Sequence, residues 1–388
     1  MGWSFLEFFA GGGLARAGLG PDWRCLVAND LDPKKANAYR DNWGSDVLIE
    51  GDVAQLDPTI VTARPNLAWA SFPCQDVSQA GAGAGLQGSR SGTFWPFWKF
   101  IQGIGKQDRT PDLLVIENVC GMITSHGGAD LDAICGALSK ARYKMGAMVI
   151  DASLFLPQSR PRVFLIGVRD GIDVPSHLIS RTPKYFHTDQ IQRFVSETYS
   201  ADNTEWIWWN PVPPVIDVEP IAAVLDVKPV GVDWHSHEKT CALLKLMSAH
   251  TLLKLGQIRR TKTETVGTVY RRMRPNKQGK KVQRAEVRFD GISGCLRAPT
   301  GGSSRQLLLF VNGNSIRSRL LSGREAARLM GLPDSYALPV NHYDAYKISG
   351  EGVAVPVVTY LAQNLLEPIL RSHYQPKLAA NRTKDCRS

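Results

Sequence analysis

The chain has 388 residues, of which 43% are hydrophobic and 21% are charged, a composition typical of a globular protein with room for two domains. No run of eighteen apolar residues occurs, and the N-terminus lacks the basic start of a signal peptide, so we expect no membrane span and a cytoplasmic protein. The seven cysteines are scattered without a Cys-x-x-Cys pair, which argues against a disulfide framework or a zinc cluster.

The net charge of +10 is unevenly distributed along the chain. Between Lys254 and Arg317, fifteen lysines and arginines stand against three acidic residues, so the rest of the chain nets −2. This asymmetry favours a face that binds a polyanion. A solvated basic surface is the alternative that charge alone leaves open.

The first 170 residues alternate between predicted strands and helices. In chain order the segments are a strand "WSFLEFF", a helix "LARAGL", a strand "RCLVAND", a helix in "PKKANAYRDNWG" with Pro33 near its start and Gly44 past its end, strands "NLAWASF" and "DLLVIENV", a helix "DLDAICGALSKARY", and strands "MGAMVID" and "RVFLIGVR". Such alternation predicts a largely parallel sheet with helices on both faces.

The pattern changes after Asp170. Proline and tryptophan are frequent up to about residue 230, and one helix is predicted over "HEKTCALLKLMSAHTLLKL" before the basic stretch. In "SGREAARLMGL", Ser322 and Glu325 have the spacing of a capping box. The apolar tail "VAVPVVTYLAQNLLEPILRSHY" is expected to pack back on the sheet. Residues 171–315 therefore read as an inserted domain of different character.

A glycine turn, Phe9 to Gly13, connects the first strand to the first helix. Such a turn lets a ligand approach the backbone closely. Asp30 ends the second predicted strand, and Asp52, in "EGDV", ends what could be a third. Carboxylates there could bind the ribose and amine of a nucleoside. NAD, flavin and S-adenosylmethionine all remain open on these residues alone.

Three further positions could carry chemistry. Cys74, in "FPCQ", follows a strand and precedes a glycine-rich stretch, so it is a candidate nucleophile, although a buried inert thiol is the ordinary alternative. Glu117 ends the strand "VIENV" and could exchange a proton with a bound base, or could be a surface acid that caps the next turn. Arg160 and Arg162, in "PQSRPR", could bind a phosphate or a carbonyl oxygen, or could be ordinary surface charges.

Taken together, the motifs resemble those of the cytosine-C5 DNA methyltransferases, which use S-adenosylmethionine. The ordered series is "FFAGGG", "EGDV", "FPCQDVS", "GSRSGTFW", "IENV", "QSRPR", "RLLSGREAARLMGLPD" and "YKISGEGVAVPVV". It covers about residues 3–170 and 315–370, and the family places a variable target-recognition domain between those parts.

The resemblance implies an α/β fold: a Rossmann-like S-adenosylmethionine methyltransferase domain with a mixed, mostly parallel sheet and a smaller inserted target-recognition domain. The boundaries we expect are 1–175 for the catalytic domain, 176–340 for the recognition domain, and 341–388 for a segment that returns to the catalytic domain.

The family mechanism maps onto the same residues. Cys74 would attack C6 of the target cytosine, and Glu117 would supply a proton at N3 and hold the amino group. Arg162 would bind the cytosine carbonyl or orient the nucleophile, with Arg160 close by. After methyl transfer to C5, the C5 proton would leave and Cys74 would be eliminated. The reaction needs no metal.

The resemblance also implies a donor site. Its expected members are Phe9, Ala10, Gly11, Gly13, Asp30, Leu31, Asp52, Val53, Pro73, Phe94, Gly352 and Val353. Three positions depart from the family pattern. Leu14 stands where the glycine loop usually ends in glycine, and Leu31 replaces a frequent aromatic residue. Glu351 replaces an asparagine, and its charge could complement the sulfonium or amine of the donor.

A cytosine inside a duplex must be extruded to reach a thiolate. The basic segment would then hold phosphates, while Arg297, Arg305 and Gln306 would read bases. Gln75 and Ser78 are expected to contact DNA from the loop that follows the nucleophile. By family likeness this glycine-rich loop closes over the flipped base, and Gln79 or Gln87 would enter the vacated space.

The sequence therefore predicts a DNA (cytosine-5-)-methyltransferase, encoded by a bacterium or a phage, that acts as a monomer on double-stranded DNA. A cognate restriction endonuclease would act separately. An RNA (tRNA) cytosine-C5 methyltransferase is the nearest alternative, but the Cys-Phe-Thr signature of those relatives is absent. A catalytically silent DNA-binding relative is the alternative outside the enzymes, and a Rossmann dehydrogenase ranks third.

Overall fold

The structure is a computed structural model, and it describes residues 2–73, 93–199, 205–261, 263–276, 278–297 and 305–374. Cys74, Gln75 and Ser78 lie outside the described residues, as does the remainder of the glycine-rich loop with Gln79 and Gln87.

A seven-stranded sheet forms the centre of the larger domain. Its strands are β1 (Trp3–Phe8), β2 (Trp23–Asp30), β3 (Leu48–Glu50), β4 (Leu67–Ala70), β5 (Leu113–Val119), β6 (Tyr143–Asp151) and β7 (Pro161–Arg169). The spatial order is β3-β2-β1-β4-β5-β7-β6. The pairs β5–β7 and β6–β7 are antiparallel and the others are parallel, which confirms the predicted mixed, mostly parallel sheet.

In the described part of this domain the sheet is accompanied by the helices α1 (Leu14–Leu19), α2 (Pro33–Trp43), α3 (Phe94–Gly105) and α4 (Ala129–Lys140). The signals that bound α2 are local. The Asp32 carboxylate accepts a hydrogen bond from the backbone of Lys34, Pro33 starts the first turn, and Gly44 ends the helix with a φ of 78°. The predicted start and stop of this helix are confirmed.

The order of the strands creates a crevice. β1 pairs with β2 on one side and with β4 on the other, so the chain direction across the sheet reverses at β1. In open α/β sheets ligands bind beyond the carboxyl ends of the strands at such a reversal. The five parallel strands all end at this edge.

The proline- and tryptophan-rich segment packs on the larger domain. It contains β8 (Ile179–Ser180), α5 (Asp189–Glu197) and β9 (Trp208–Trp209). Phe194 and Trp206 belong to the core on one face of the large sheet, and Trp209 Nε1 donates to the Gly146 carbonyl at 3.1 Å. The aromatic side chains that distinguish the composition of this segment are therefore buried against the large sheet.

A second, four-stranded sheet forms the centre of the smaller domain. Its elements are α6 (His237–Lys245), α7 (Ala249–Thr261), β10 (Thr265–Pro275), β11 (Lys281–Arg288), β12 (Leu307–Asn312) and β13 (Ser315–Leu320). The order is β11-β10-β12-β13, and all pairs are antiparallel. The single helix predicted over α6 and α7 was wrong, because the intervening backbone turns to β11: the Leu246 carbonyl accepts from the Ala285 amide at 3.0 Å.

The chain then returns to the large domain through α8 (Gly323–Arg328), α9 (His342–Glu351), α10 (Val355–Leu361) and α11 (Glu367–Tyr374). The capping box of Ser322 and Glu325 at the start of α8 is confirmed. By length and composition, His342–Tyr374 could cross a membrane, but 67% of its most apolar window is buried inside the protein. The apolar tail lies in the core of the large domain, as predicted.

Candidate active site

The glycine loop after β1 is held in a conformation that favours glycine. Phe9, Gly11 and Gly13 have φ angles of 57°, 58° and 78°, in the left-handed region. The Gly11 amide donates to Asp30 Oδ2 at 2.8 Å, and Asp30 Oδ1 accepts from the Asp32 amide at the same distance. One carboxylate at the end of β2 therefore fixes the loop and the start of α2, and a side chain added at Gly11 would meet open space.

Close packing below the loop explains its other glycines. A Cβ on Gly12 would lie 2.3 Å from Tyr336 Oη, and one on Gly13 would lie 2.3 Å from Trp43 Nε1. The same two aromatic groups donate to the Gly12 carbonyl at 2.7 and 3.0 Å. The loop is thus clamped from α2 and from the C-terminal segment, which leaves its upper surface for a ligand.

A buried carboxyl supports the first helix. Glu7 Oε1 accepts a hydrogen bond from the Arg16 amide in α1 at 3.2 Å. Burial raises the pKa of Glu7 to about 8, although the Arg16 backbone hydrogen bond and the Arg16 charge oppose the rise. The sequence motifs did not single out Glu7. An acidic residue inside an apolar strand is the signal that could have found it.

The end of β3 is tied to β2 by Asn29, another residue that the motifs did not single out. Its side-chain amide donates to the carbonyls of Ile49 and Gly51 at 2.9 and 3.0 Å. These bonds set the position of Asp52, which is exposed and caps the next turn through the Ala54 amide at 2.9 Å. An asparagine directly before Asp30 at a strand end could have signalled this role.

The other predicted members of the donor site have different surroundings. Leu31 is 67% exposed at the edge of the crevice, while Val53 and Val353 are buried. Phe94 is fully buried, and its ring stacks on Trp98 with an interplanar angle of 10°. The structure thus assigns Phe94 to the hydrophobic core below the site.

Glu351, the acidic residue at the end of α9, forms an ion pair within the protein. Glu351 Oε2 lies 2.7 Å from Lys35 Nζ in α2. Two further ion pairs, Lys34–Asp344 and Lys347–Asp32, join the same two helices at 2.9 and 2.6 Å. The Glu351 carboxylate therefore links the two helices beside the loop, whereas the sequence suggested that it complements a cationic donor.

Glu117 and Arg162 meet on neighbouring strands. In the antiparallel pair β5–β7, Val119 lies opposite Arg162, which makes Glu117 the diagonal neighbour of Arg162 on the same face. Arg162 Nε lies 3.2 Å from Glu117 Oε1, and both side chains are largely buried. The structure therefore brings these two predicted residues together.

Asn118 directly follows Glu117 in β5, so its side chain lies on the opposite face of the sheet from Glu117. Its amide donates to the Phe72 carbonyl at 3.2 Å, and the side chain is buried. Phe72 and Pro73 end the described segment immediately before Cys74. Asn118 thus fixes the backbone that leads to the predicted nucleophile, a role that sequence reasoning missed.

Arg160 is held by backbone carbonyls from other parts of the chain. It is buried, and its guanidinium donates to the carbonyls of Leu296, Gly350 and Gly352 at 3.0, 3.0 and 2.7 Å, and to Cys295 Sγ at 3.3 Å. These partners come from the small domain and from the C-terminal segment. The guanidinium that lies against Glu117 belongs to Arg162, so Arg160 joins the domains instead of adding to that pair.

The residues proposed to read bases differ in accessibility. Gln306 is fully buried, its amide donates to the carbonyls of Val269 and Leu307 at 3.1 and 2.8 Å, and its oxygen accepts from the Ser293 hydroxyl. A buried amide with these partners cannot reach a base edge without breaking these hydrogen bonds, so the base-reading role predicted for Gln306 does not fit the structure. Arg297 is exposed and Arg305 is half-buried.

The basic segment forms a two-stranded ribbon beyond the small sheet. β12 pairs with β10 only as far as Val269, and the remainder of β10 pairs with β11 alone. Tyr270, Arg272 and Arg274 share one face of the ribbon, and Arg284 lies opposite Arg272 on that face. Tyr270 Oη donates to the Cys295 carbonyl at 2.8 Å, so this face, the ribbon face, continues into the surroundings of Arg160 and Arg162.

Comparison with known proteins agrees with this architecture. The type II methyltransferase M.HhaI of Haemophilus parahaemolyticus is 26% identical over 369 residues, which cover 94% of each chain. M.DsaV of Dactylococcopsis salina is 26% identical over 372 residues, 94% of this chain and 86% of that relative. The crystal structure of the S. pombe Dnmt2 methyltransferase matches with a TM-score of 0.58 at 18% identity, over 95% of this chain and 99% of that chain, and supports the fold.

The family assignment comes from the chain as a whole. The model of the C-5 cytosine-specific DNA methylases matches residues 3–367, which include both sheets and the helices α8 to α10. The chain therefore belongs to the C-5 cytosine-specific DNA methylase family.

Proposed function

We propose that this protein transfers a methyl group from S-adenosyl-L-methionine to C5 of a cytosine flipped out of a specific duplex DNA sequence. The reaction proceeds through a covalent bond between Cys74 and C6 of the base. The observation that carries the proposal is the Glu117–Arg162 pair, 3.2 Å apart at the carboxyl edge of the sheet, with Asn118 holding the chain that leads to Cys74.

The residues beside β1 and β2 fit the methyl donor. The upper surface of Gly11 is open, Asp30 holds the loop through its carboxylate, Asp52 presents an exposed carboxylate beyond β3, and exposed Leu31 offers an apolar surface for the adenine. When bound, S-adenosylmethionine supplies an electrophilic methyl group on its sulfonium. Because Gly11 has no side chain, the space above the loop stays free for the donor.

Cys74, Glu117 and Arg162 each act on a different atom of the cytosine. The Cys74 thiolate forms a bond to C6 while Glu117 delivers a proton to N3, so the electron pair of the C5–C6 double bond becomes available at C5. Arg162 binds the carbonyl oxygen of the base and keeps the Glu117 carboxyl oriented. After C5 has accepted the methyl group, C5 gives its proton to a solvent water and N3 returns its proton to Glu117. The C5–C6 double bond re-forms and the bond from Cys74 to C6 breaks.

The ribbon face is suited to hold the DNA during this reaction. The target base leaves the helix because the thiol cannot reach it inside the stack. Arg272, Arg274 and Arg284 lie on the face that continues towards the Glu117–Arg162 pair, where they would bind phosphates on either side of the flipped nucleotide.

The proposed reaction also indicates the oligomeric state and the biological role of the protein. One active site and one recognition domain suffice for a single flipped base, so the protein acts as a monomer. It works in the cytoplasm, where the DNA lies, as the modification enzyme of a restriction–modification system whose endonuclease acts separately.

Methyl transfer can be measured with labelled donor and unmethylated bacterial genomic DNA, followed by bisulfite sequencing to locate the product. We expect 5-methylcytosine at one fixed sequence. Cys74→Ser should abolish transfer and retain donor binding, whereas Cys241→Ser, a change in α6 of the small domain, should transfer normally. Turnover by Cys74→Ser would overturn the covalent mechanism. Transfer to tRNA but not to DNA would favour an RNA methyltransferase, and donor binding without any transfer would indicate a silent relative.

A further inference from the structure

A thiol of the small domain lies between two guanidinium groups of the large domain. Cys295 Sγ is 3.3 Å from Arg160 Nη1 and 3.8 Å from Arg162 Nη2, distances at which sulfur accepts N–H donors. Its own S–H can donate to the Leu296 carbonyl at 3.4 Å. Neither the motifs of the family resemblance nor the reaction described above uses this cysteine.

The segment that carries both arginines is fixed between the two domains. The Ser159 amide donates to the Ser293 carbonyl at 2.8 Å, and the Ser293 amide donates to the Pro157 carbonyl at 2.7 Å. Buried Gln158 donates to the Leu329 carbonyl at 2.6 Å and accepts from the Leu296 amide at 3.1 Å. The backbone around Cys295 is therefore held in register with Arg160, and the sulfur has a defined position.

The charges favour a strong contact. Burial opposes ionisation of the Cys295 thiol, but the guanidinium groups of Arg160 and Arg162 outweigh it and lower the pKa of this thiol. A thiolate is a better acceptor than a thiol, and hydrogen bonds between ionised groups are stronger than those between neutral groups. Ionisation of Cys295 would thus tighten its hold on both arginines.

We infer that Cys295 is a positioning residue for Arg162, and through Arg162 for Glu117. The inference rests on the proposed function, because it assigns the orientation of the two residues that contact the base. The Arg162 guanidinium has three contacts here: Nε lies against Glu117, Nη1 donates to the Pro161 carbonyl at 2.9 Å, and Nη2 lies against Cys295. With the sulfur removed, the guanidinium keeps the Glu117 and Pro161 contacts and loses the contact at Nη2 that comes from the small domain.

The contact also links recognition to chemistry. The Cys295 carbonyl accepts from Tyr270 Oη at 2.8 Å, and Tyr270 lies on the ribbon face next to Arg272. A ribbon seated correctly on DNA would therefore keep Cys295 against Arg162, whereas a displaced ribbon would draw the sulfur away. Small displacements of a positioned catalytic group can reduce a rate substantially.

The test compares Cys295→Ala, which removes the acceptor, with Cys295→Ser, which keeps a shorter one. Cys241→Ala is the matched control, a cysteine removed from the same domain outside this network. The substrate is a duplex that carries the site mapped with the wild-type protein. The measurements are kcat, KM for DNA, donor Kd, melting temperature, and release of tritium from C5 of the target cytosine without donor, which reports attack by Cys74 and protonation by Glu117.

Cys295→Ala should reduce both kcat and tritium release about tenfold, the loss expected for one hydrogen bond to a charged group, with donor Kd unchanged. Cys295→Ser should recover part of both rates, and Cys241→Ala should match the wild type. Unchanged rates in Cys295→Ala would overturn the inference. Equal losses in the alanine and serine variants with lower melting temperatures would also overturn it, because they would show a packing role. Absence of transfer by the wild-type protein is a different result, since it would refute the proposed function itself.

Discussion

The side chain of Leu14 fills the space that a side chain on Gly352 would need. A Cβ built on Gly352 would lie 2.4 Å from Leu14 Cδ2, and Gly352 itself has a φ of −77°, which any residue can adopt. The requirement for glycine here is therefore steric. Leu14 stands where the family loop usually has glycine, so a larger residue at one position is matched by the smallest residue at the other.

Gly352→Ala should lower the affinity for S-adenosylmethionine and destabilise the protein by about 1–3 kcal/mol, the usual cost of overpacking a core. Leu14→Ala in the same chain should restore part of both losses, because the Ile348 carbonyl, 3.1 Å from the added Cβ, remains. Isothermal titration with the donor and urea unfolding measure the two effects. Gly136→Ala in α4, where an added Cβ meets open space, is the control and should not destabilise the protein. Equal stability of Gly352→Ala and wild type would refute the pairing.

Features that depend on neighbours in sequence were predictable. The start and end of α2 follow from Asp32, Pro33 and Gly44, and the capping box of α8 follows from Ser322 and Glu325, because each signal acts within one helical turn. The order of the motifs likewise predicted a mixed, mostly parallel sheet. The glycine loop and Asp30 were recognisable for the same reason, since both lie at the ends of adjacent strands.

Features that depend on distant partners were not predictable. Arg160 was predicted to lie in the catalytic site and Gln306 to read a base, but Arg160 binds carbonyls 136 and more residues away, and Gln306 binds the Val269 carbonyl 37 residues away. The break between α6 and α7 has a similar cause, since the Ala285 amide of β11 claims a carbonyl from that turn. Local sequence carries no signal for such long-range hydrogen bonds.

Glu7 should make stability depend on pH between about 4.5 and about 8. Its pKa is about 8 in the folded protein, so over this range the folded state holds a proton that the unfolded state has lost. Stability supplied by that proton is present at low pH and is lost as the pH rises towards 8. Glu7→Gln, which cannot ionise, should remove this slope and should be more stable than the wild type at pH 8 by on the order of a few kcal/mol.

Urea unfolding at pH 5, 6.5 and 8 measures the slope for both proteins. The glutamine retains an oxygen for the Arg16 amide, so loss of the helix contact does not confuse the comparison. Asp52→Asn, a change at an exposed carboxyl near the same edge of the sheet, is the control and should keep the wild-type slope. Parallel slopes for wild type and Glu7→Gln would exclude Glu7 as the source.

Glu325 should be essential to the junction between the domains. Its carboxylate binds Arg319 through two hydrogen bonds of 2.7 and 2.8 Å, and neither side chain is exposed. Glu325→Gln keeps the shape but leaves the Arg319 charge buried without its counterion, which should cost about 3–5 kcal/mol. Glu286→Gln, in an exposed ion pair with Arg274, should cost less than about 1 kcal/mol. Chemical denaturation tests both, and equal small losses would show that Arg319 does not need the charge.

The arginines of the ribbon face should strengthen DNA binding and slightly lower the stability of the folded protein. Arg272 and Arg284 lie directly opposite each other in the β10–β11 register, and like charges in that position repel. Arg284→Ala should therefore leave the free energy of unfolding unchanged or slightly higher. It should weaken binding to all duplexes and reduce the slope of log K against log salt by about one, because one phosphate contact is lost. Lys140→Ala, at the end of α4, is the control for charge and should change neither quantity. If Arg284→Ala weakened binding to one sequence while sparing others, the arginine would be reading a base, and the assignment of this face to phosphates would fall.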